Sequence, residues 1–399
     1  MEMWRKFVPH TKQWPNGSEN MKKILFVITQ FYKGGAEVAL LNLFRELPQS
    51  EYEVDFLIFD QMILKDAQSL IPHVPSWIHV CNAAEKEGKC AVIKKAWFKA
   101  YKKITKHQLY RKSAYEFVKN KQYDVAFSYG EWMSPEFVAT KVNATKKMVW
   151  IHADIDKANY VDERILFGYD NRYDGYIFVS EYSRLAGEHA FPLLKGRSYV
   201  VHNMCDDDTI RRLALESISD EEIYPKPWVV SVANLREEKN YPRMLETMKC
   251  LKERGIDIRW LCIGSTANPF LLNKIKTMIV NYGLQDTFIL MGTDQNPYRY
   301  MAKSCAVLVL SDFESWSLVI TEAKLLQIPV IATRTSGALE QIEDNKTGRF
   351  VSFEPVEIAD VIEEYLGDSE IRNKMSRRLE GFSTNNTTLR EFYDVIGDA

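Results

Sequence analysis

The chain has 399 residues, of which 46% are hydrophobic and 27% charged; at roughly 150 residues per domain this is room for about two or three domains. Those proportions exclude disorder, a collagen-like repeat and a disulfide scaffold as descriptions of the whole chain. With 52 basic against 54 acidic side chains the net charge is −2, so no global field exists to draw nucleic acid.

The six cysteines fall at 81, 90, 205, 250, 262 and 305, and no pair has the close spacing of a zinc knuckle or a thioredoxin-type motif. Cys262 and Cys305 lie in apolar runs and read as small buried hydrophobes, which favours a reducing cytosol. No apolar run approaches the ~18 residues of a membrane span. Residues 1–20 lack the apolar stretch of a signal peptide and read as an N-terminal extension.

From Met21 onward, short runs rich in Val, Ile and Phe alternate with stretches of helical periodicity, the pattern of an α/β fold with a parallel sheet. Strands are expected at Lys23–Thr29, Val54–Phe59, Tyr123–Ser128, Met148–Ile151, Tyr176–Val179 and Tyr199–Val201. A polar, acidic stretch from Asn203 to Pro227 reads as a linker region. Strands resume at Trp228–Ala233, Ile258–Ile263, Phe288–Leu290, Ala306–Leu310 and Pro329–Ala332. The expected architecture is two Rossmann-like doubly wound domains, 21–205 and 206–385, facing across a cleft. Residues 386–399 are expected to form a helix able to cross back to the first domain.

The first strand runs into Gly34-Gly35 and a helix over Glu37–Leu47. Such a turn lets a ligand approach the backbone and presents helix N–H groups to a phosphate, although on its own a Gly-Gly turn is more often a plain tight connection. The dinucleotide signature G-x-G-x-x-G is missing, which counts against a nicotinamide enzyme. Further on, Gly88 to Tyr115 contains no acidic residue, and nine Lys or Arg fall between Lys89 and Lys112. On a helix Ile93, Trp97, Ala100, Tyr101 and Ile104 form one stripe, opposite Lys95, Lys99, Lys102 and Lys106. Such a helix can lie on anionic lipid or pack on its own domain with its lysines solvated.

The richest stretch is AVLVLSDFESWSLVITEAKLLQIPVIA, Ala306–Ala332. A buried strand ends at Ser311, a polar loop carries Glu314, and a helix from about Ser317 carries Glu322, about 8 Å along the helix axis from its start. Both carboxylates can reach one ligand lying across that N-terminus. The backbone N–H groups of Trp316, Ser317 and Leu318 suit a pyrophosphate, and the carboxylates suit vicinal sugar hydroxyls. A solvated helix with an acidic N-terminal loop is the plainer alternative.

This stretch, continued as TRTSGALEQIEDNKTGRFV, resembles glycosyltransferase family 4 with its E-x7-E mark. VVSVANLREEKN, VNYGLQDTFILMGTDQNP, YKGGAEVALLNLFREL and FVSEYSRLAGEHAF…VVHNMCD extend the resemblance over roughly 21–395. It implies a GT-B fold and a retaining, nucleotide-sugar-dependent transfer that needs no metal or other cofactor. By the resemblance Glu322 accepts the donor ribose hydroxyls and Glu314 holds the transferred sugar, with Ser315 in the same donor loop. Lys239 neutralises the diphosphate. His152 meets a sugar hydroxyl from the first domain, Gly34 and Gly35 lie beside diphosphate and acceptor, and Gly292 meets the nucleobase. The chain departs from the family's Gly-Arg-Leu at Ala233-Asn234-Leu235: Asn234 replaces the arginine, and Arg236, two positions on, is the cation available to stand in for it.

The implied activity moves a hexose-type sugar from a nucleotide sugar, a UDP-sugar in the first instance, to a glycan or lipid-linked glycan, as in cell-surface polysaccharide synthesis. The place implied is the cytoplasm, at the inner face of the membrane if residues 89–112 bind lipid. Nucleic acid is not an expected partner. A sugar-binding scaffold with weak or no turnover and a GT-B sugar-nucleotide epimerase are the alternatives, the former motivated by Asn234. The acidic triplet Asp206-Asp207-Asp208 is read as part of the inter-domain crossing rather than a metal site.

Overall fold

A computed structural model of the protein describes residues 21–61, 69–84, 110–158, 160–218 and 226–397, together with Trp97. The first sheet contains β1 (Lys22–Ile28), β2 (Tyr52–Ile58), β3 (His79–Asn82), β4 (Gln122–Tyr129), β5 (Asn143–Ile151), β6 (Gly175–Phe178) and β7 (Ser198–Val200), ordered β3-β2-β1-β4-β5-β6-β7. The second contains β8 (Trp228–Val232), β9 (Arg259–Ile263), β10 (Phe288–Gly292), β11 (Val307–Val309), β12 (Val330–Thr333) and β13 (Gly348–Val351), ordered β10-β9-β8-β11-β12-β13. Every strand pairing in both sheets is parallel.

Parallel strands are covered by helices on both faces, so the central ones read as unbroken apolar runs. Ile24 to Ile28 are fully buried, as are Phe127 and Ile177 in neighbouring strands. Each sheet splits its apolar side chains between two clusters, one per face: Phe26 and Phe56 against Leu25 and Phe137 in the first, Trp260 and Leu308 against Val230 and Ile320 in the second. Both sheets reverse their strand order once, between β1 and β4 and between β8 and β11. In doubly wound sheets the carboxyl ends of the strands diverge at that point and leave a crevice for ligand.

The α/β class and the sheets are those expected, with two strands added. β3 (HVCN) and β13 (GRFV) are four-residue edge strands holding a histidine or an arginine, too short and too polar to stand out by periodicity. The stretch expected to be linker contains a helix, Asp207–Ala214, started by the Asp206 carboxylate accepting the Thr209 N–H. Residues 219–225 lie outside the described residues.

A helix over Asn385–Ile396 packs on the first sheet, not the second. Its Phe392 is fully buried, with ring centroids 6.3 Å from Phe26, 5.9 Å from Phe127 and 6.3 Å from Trp150. Lys22 and Lys146 donate to the carbonyls of Ile396 and Val395 at 2.7 and 2.5 Å, satisfying acceptors that a helix end leaves open. Phe392→Ala is therefore expected to lower stability by about 3–5 kcal/mol, read as a fall in the urea midpoint; an unchanged midpoint would show that the helix does not close this core.

Candidate functional site

The crevice of the second sheet lies where β8 and β11 end, and the two loops leaving those strands are tied together. The Asp312 N–H donates to the Glu238 carbonyl at 2.8 Å. Arg243 bonds both the Leu310 carbonyl and the Asp312 carboxylate at 2.7 Å, and the Asn240 amide reaches the same carboxylate at 3.0 Å. Asn240 takes a left-handed conformation, φ 46°, which asparagine tolerates better than most residues, and caps the helix Tyr241–Glu253. On this frame the Lys239 ammonium sits 3.0 Å from Glu314, whose second oxygen accepts from the Ser311 hydroxyl at 3.0 Å. A small cavity beneath is lined by Ala233, Lys239, Ser311, Glu314 and Ser317.

The Glu314 loop is held from behind by the short helix Ser336–Gln341. The Gly337 N–H donates to the Glu314 carbonyl at 2.8 Å. A Cβ on Gly337 would come within 2.6 Å of the Trp316 Cα and 2.8 Å of the Ser315 carbonyl oxygen, so only glycine allows this approach. Gln341 then brackets Ser317, accepting its N–H at 3.1 Å and donating to its carbonyl at 2.9 Å. The Ser317 N–H, expected to face a pyrophosphate, is buried and paired with Gln341, and Ser317 caps the helix Leu318–Leu325, its hydroxyl accepting the Ile320 N–H. Ser315 is buried in the loop behind Trp316.

Glu322 lies in the second turn of that helix, and one of its oxygens accepts the Tyr298 hydroxyl at 3.1 Å. Burial pushes its carboxyl up to about 7, against the pull of the Tyr298 bond and the Lys33 charge. Leu318 opens the helix toward the first domain: a Cβ at Gly35 would lie 3.8 Å from Leu318 Cδ1. The first domain's glycine turn and the second domain's helix start therefore meet face to face. Gly34 is the N-cap of the helix Gly35–Glu46, and the Glu37 carboxylate folds back over it.

His152 follows β5 on the first-domain wall. Its N–H donates to Glu131 at 2.8 Å, while both ring nitrogens are buried and have no partner among the described residues. Burial drives its pKa down to about 3, so the ring is neutral and offers one donor and one acceptor. The Tyr129 and Trp132 rings lie 4.5 and 5.8 Å from it. Two carboxyls beside it were not singled out in the sequence. Burial raises Glu131, which accepts the Tyr160 hydroxyl at 2.8 Å, and burial pushes Glu37 up to about 7 while Arg236 pulls it back. The glutamate three residues after Gly34 was the signal available for Glu37; Glu131 had none.

The remaining candidates are placed more variously. Asn234 accepts the Ser265 N–H at 2.9 Å, tying the β8 and β9 loops together. Arg236 is largely exposed, 3.8 Å from Glu238, and its charge reaches Glu37 and Tyr160 of the first domain. Gly292 ends β10 with φ 72°, its carbonyl accepting the Gly264 N–H. Asp206 bonds Arg45 at 3.2 Å, and Asp207 accepts from Ser383 and Thr384. Among the described residues no group of three or more His, Cys, Asp or Glu is arranged to hold a metal ion, and no helix is long and apolar enough to cross a membrane. Of the basic segment 89–112, residues 89–96 and 98–109 lie outside the described residues.

The model of the family "Glycosyl transferases group 1" matches residues 216–380. Among curated relatives, the Campylobacter jejuni N-acetylgalactosamine-N,N'-diacetylbacillosaminyl-diphospho-undecaprenol 4-alpha-N-acetylgalactosaminyltransferase is 28% identical over 162 residues, 40% of this chain and 42% of that one. The Streptomyces kanamyceticus alpha-D-kanosaminyltransferase is 30% identical over 155 residues, 38% and 39% of the two chains. The chain thus spans less than half the length of these relatives. The Anabaena Alr3699/HepE structure in complex with UDP and glucose superposes with TM-score 0.69 at 18% identity, over 95% of this chain and 100% of that one, a likeness of fold. Residues 216–380 thus match the glycosyl transferases of group 1, and the two sheets have the GT-B fold.

Proposed function

We propose that the protein is a retaining glycosyltransferase that takes a hexose-type sugar from a UDP-sugar and passes it to a hydroxyl of a glycan or lipid-linked glycan, without a metal. The observation that carries this reading is the Lys239–Glu314 pair, 3.0 Å apart at the crevice of the second sheet, with Glu322 on the adjoining helix. A diphosphate at Lys239 has a cation to meet the charge that develops as the bond from C1 to the leaving oxygen breaks. Arg236 adds a second cation on the same side. Glu314 is free to exchange its bond to Lys239 or Ser311 for a sugar hydroxyl, and Glu322 for the ribose.

His152 fits as a neutral partner for a sugar hydroxyl, since a ring pushed down to about 3 is too weak a base to take a proton at neutral pH. The acceptor oxygen then forms its bond to C1 on the face the diphosphate leaves, its proton passing to the departing diphosphate oxygen. The names of the relatives support sugar transfer, one of them to a diphospho-undecaprenol-linked acceptor. The commitment of Asn234 to Ser265 favours a second reading, a nucleotide-sugar-binding scaffold with little turnover. The basic segment 89–112 is proposed to meet anionic lipid through its lysines, Arg111 being buried and paired with Asp60.

Calorimetric titration with UDP-, GDP- and ADP-sugars tests the donor: binding is expected for the UDP series, and Glu322→Ala should weaken it by roughly tenfold or more. Lys239→Ala should lower kcat/KM by roughly a hundredfold or more, with the fold kept by circular dichroism. Tight donor binding with no nucleoside diphosphate released, across glycan and lipid-linked acceptors, would instead establish the scaffold. Donor affinity should also rise with pH toward a plateau above about 7. The ionised Glu322 is the better acceptor for ribose hydroxyls, so binding releases the proton that burial retains. Glu322→Gln should remove that slope, and a slope that persists would assign it to another group.

A further inference from the structure

Behind the donor loop, where the chain passes from one domain to the other, one imidazole holds three separate parts of the molecule. His202 lies two residues after β7. Its Nδ1 is 2.8 Å from Glu391 on the C-terminal helix, and its Nε2 is 2.6 Å from Glu340 on the helix Ser336–Gln341. Its backbone N–H donates to the other Glu391 oxygen at 2.9 Å. The second Glu340 oxygen accepts the Glu181 N–H at 2.8 Å, at the first turn of a first-domain helix. The Trp316 ring rests on the imidazole with centroids 4.5 Å apart and also packs on the first sheet's core.

A carboxylate can only accept, and an imidazole donates from both nitrogens only as the imidazolium. A neutral ring would set a bare nitrogen against one of the two carboxylates. The charged groups facing His202 are Glu340, Glu391 and, at longer range, Glu181; all are acidic and come from three different helices. We propose, on the reading of the chain as a nucleotide-sugar transferase, that His202 is a positioning residue: as a cation it staples Glu340 of the second domain to Glu391 and thereby holds Trp316 and the donor loop in the closed arrangement of the two domains.

Burial opposes the charge on His202, but the bonds to Glu340 and Glu391 and the charges of both push its pKa from 6.5 up to about 9. Because the folded value lies above the unfolded one, the stabilisation is complete below about 6.5 and is lost as pH rises through about 9. The staple is thus closed across the neutral range and opens at alkaline pH.

The test follows small-angle scattering and donor KM together from pH 7 to 10, on the full chain. For the wild type the radius of gyration and the donor KM should both rise with a midpoint near 9, while kcat at pH 7–8 stays level. His202→Gln, which cannot bridge two carboxylates as a cation, should raise donor KM roughly tenfold at pH 7 and abolish the step. Glu391→Gln keeps the histidine, so the step should remain but move to lower pH; it serves also if His202→Gln fails to fold. A flat wild-type profile in both readouts, or a step that persists unchanged in His202→Gln and Glu391→Gln, overturns the proposal. A scattering step that depends on His202 in a protein that binds no nucleotide sugar supports the staple and removes only the reading of the function.

Discussion

The contact on which the rest depends is the one between Gly337 and the loop Glu314–Ser317. A helix backbone is pressed so close to another backbone that no side chain fits between them, and the Gly337 N–H and the Gln341 amide then fix the loop at Glu314 and Ser317. That contact sets where Glu314 stands, where the helix bearing Glu322 begins and which way Leu318 faces. It acts without charge, so it does not depend on the protonation of the acidic groups around it. The same short helix also reaches the first domain, through Ser336 to Asp154 at 2.8 Å and through Glu340 to His202. One rigid piece therefore positions the site and joins the domains, as functional constellations require of their supporting shell.

Around this uncharged frame the cleft gathers acidic groups whose burial favours their neutral forms. Glu322 and Glu37 are both pushed to about 7, from opposite sides of the cleft. The cations follow the ends of β1 and β8, Lys33 and Arg236 in the connecting loops and Lys239 in the short 3-10 turn Glu237–Lys239. Perturbed carboxyls concentrated in one crevice mark it as a candidate functional site.

The sequence made the scaffold legible and the site partly so, for a common reason. Central parallel strands are continuous apolar runs, so β1, β4, β8 and β11 could be read, while the order in which they pair, which places the crevices, could not. Glu314 and Glu322 stood out because strand, loop and helix followed one another in a single stretch. β3 and β13 did not, being short and at edges. Nor did the pairing of Ser317 with Gln341, 24 residues away, or of Glu131 with His152, 21 away: such bonds depend on tertiary placement that no local pattern encodes. The same limit applied to Asn234, whose bond to Ser265 belongs to the meeting of two strand ends.

The packing of Phe392 against Phe26, Phe127 and Trp150 has a consequence for how the molecule is made. The first domain is discontinuous: its core opens with β1 and is closed by a helix whose carbonyl meets Lys22 across 374 positions of chain. During synthesis the first sheet must wait, with one apolar face uncovered, until the whole intervening domain has been translated and has left room for the returning segment. Long-range closure of this kind slows assembly and prolongs exposure of sticky surface, so the two lobes mature as a pair rather than one after the other.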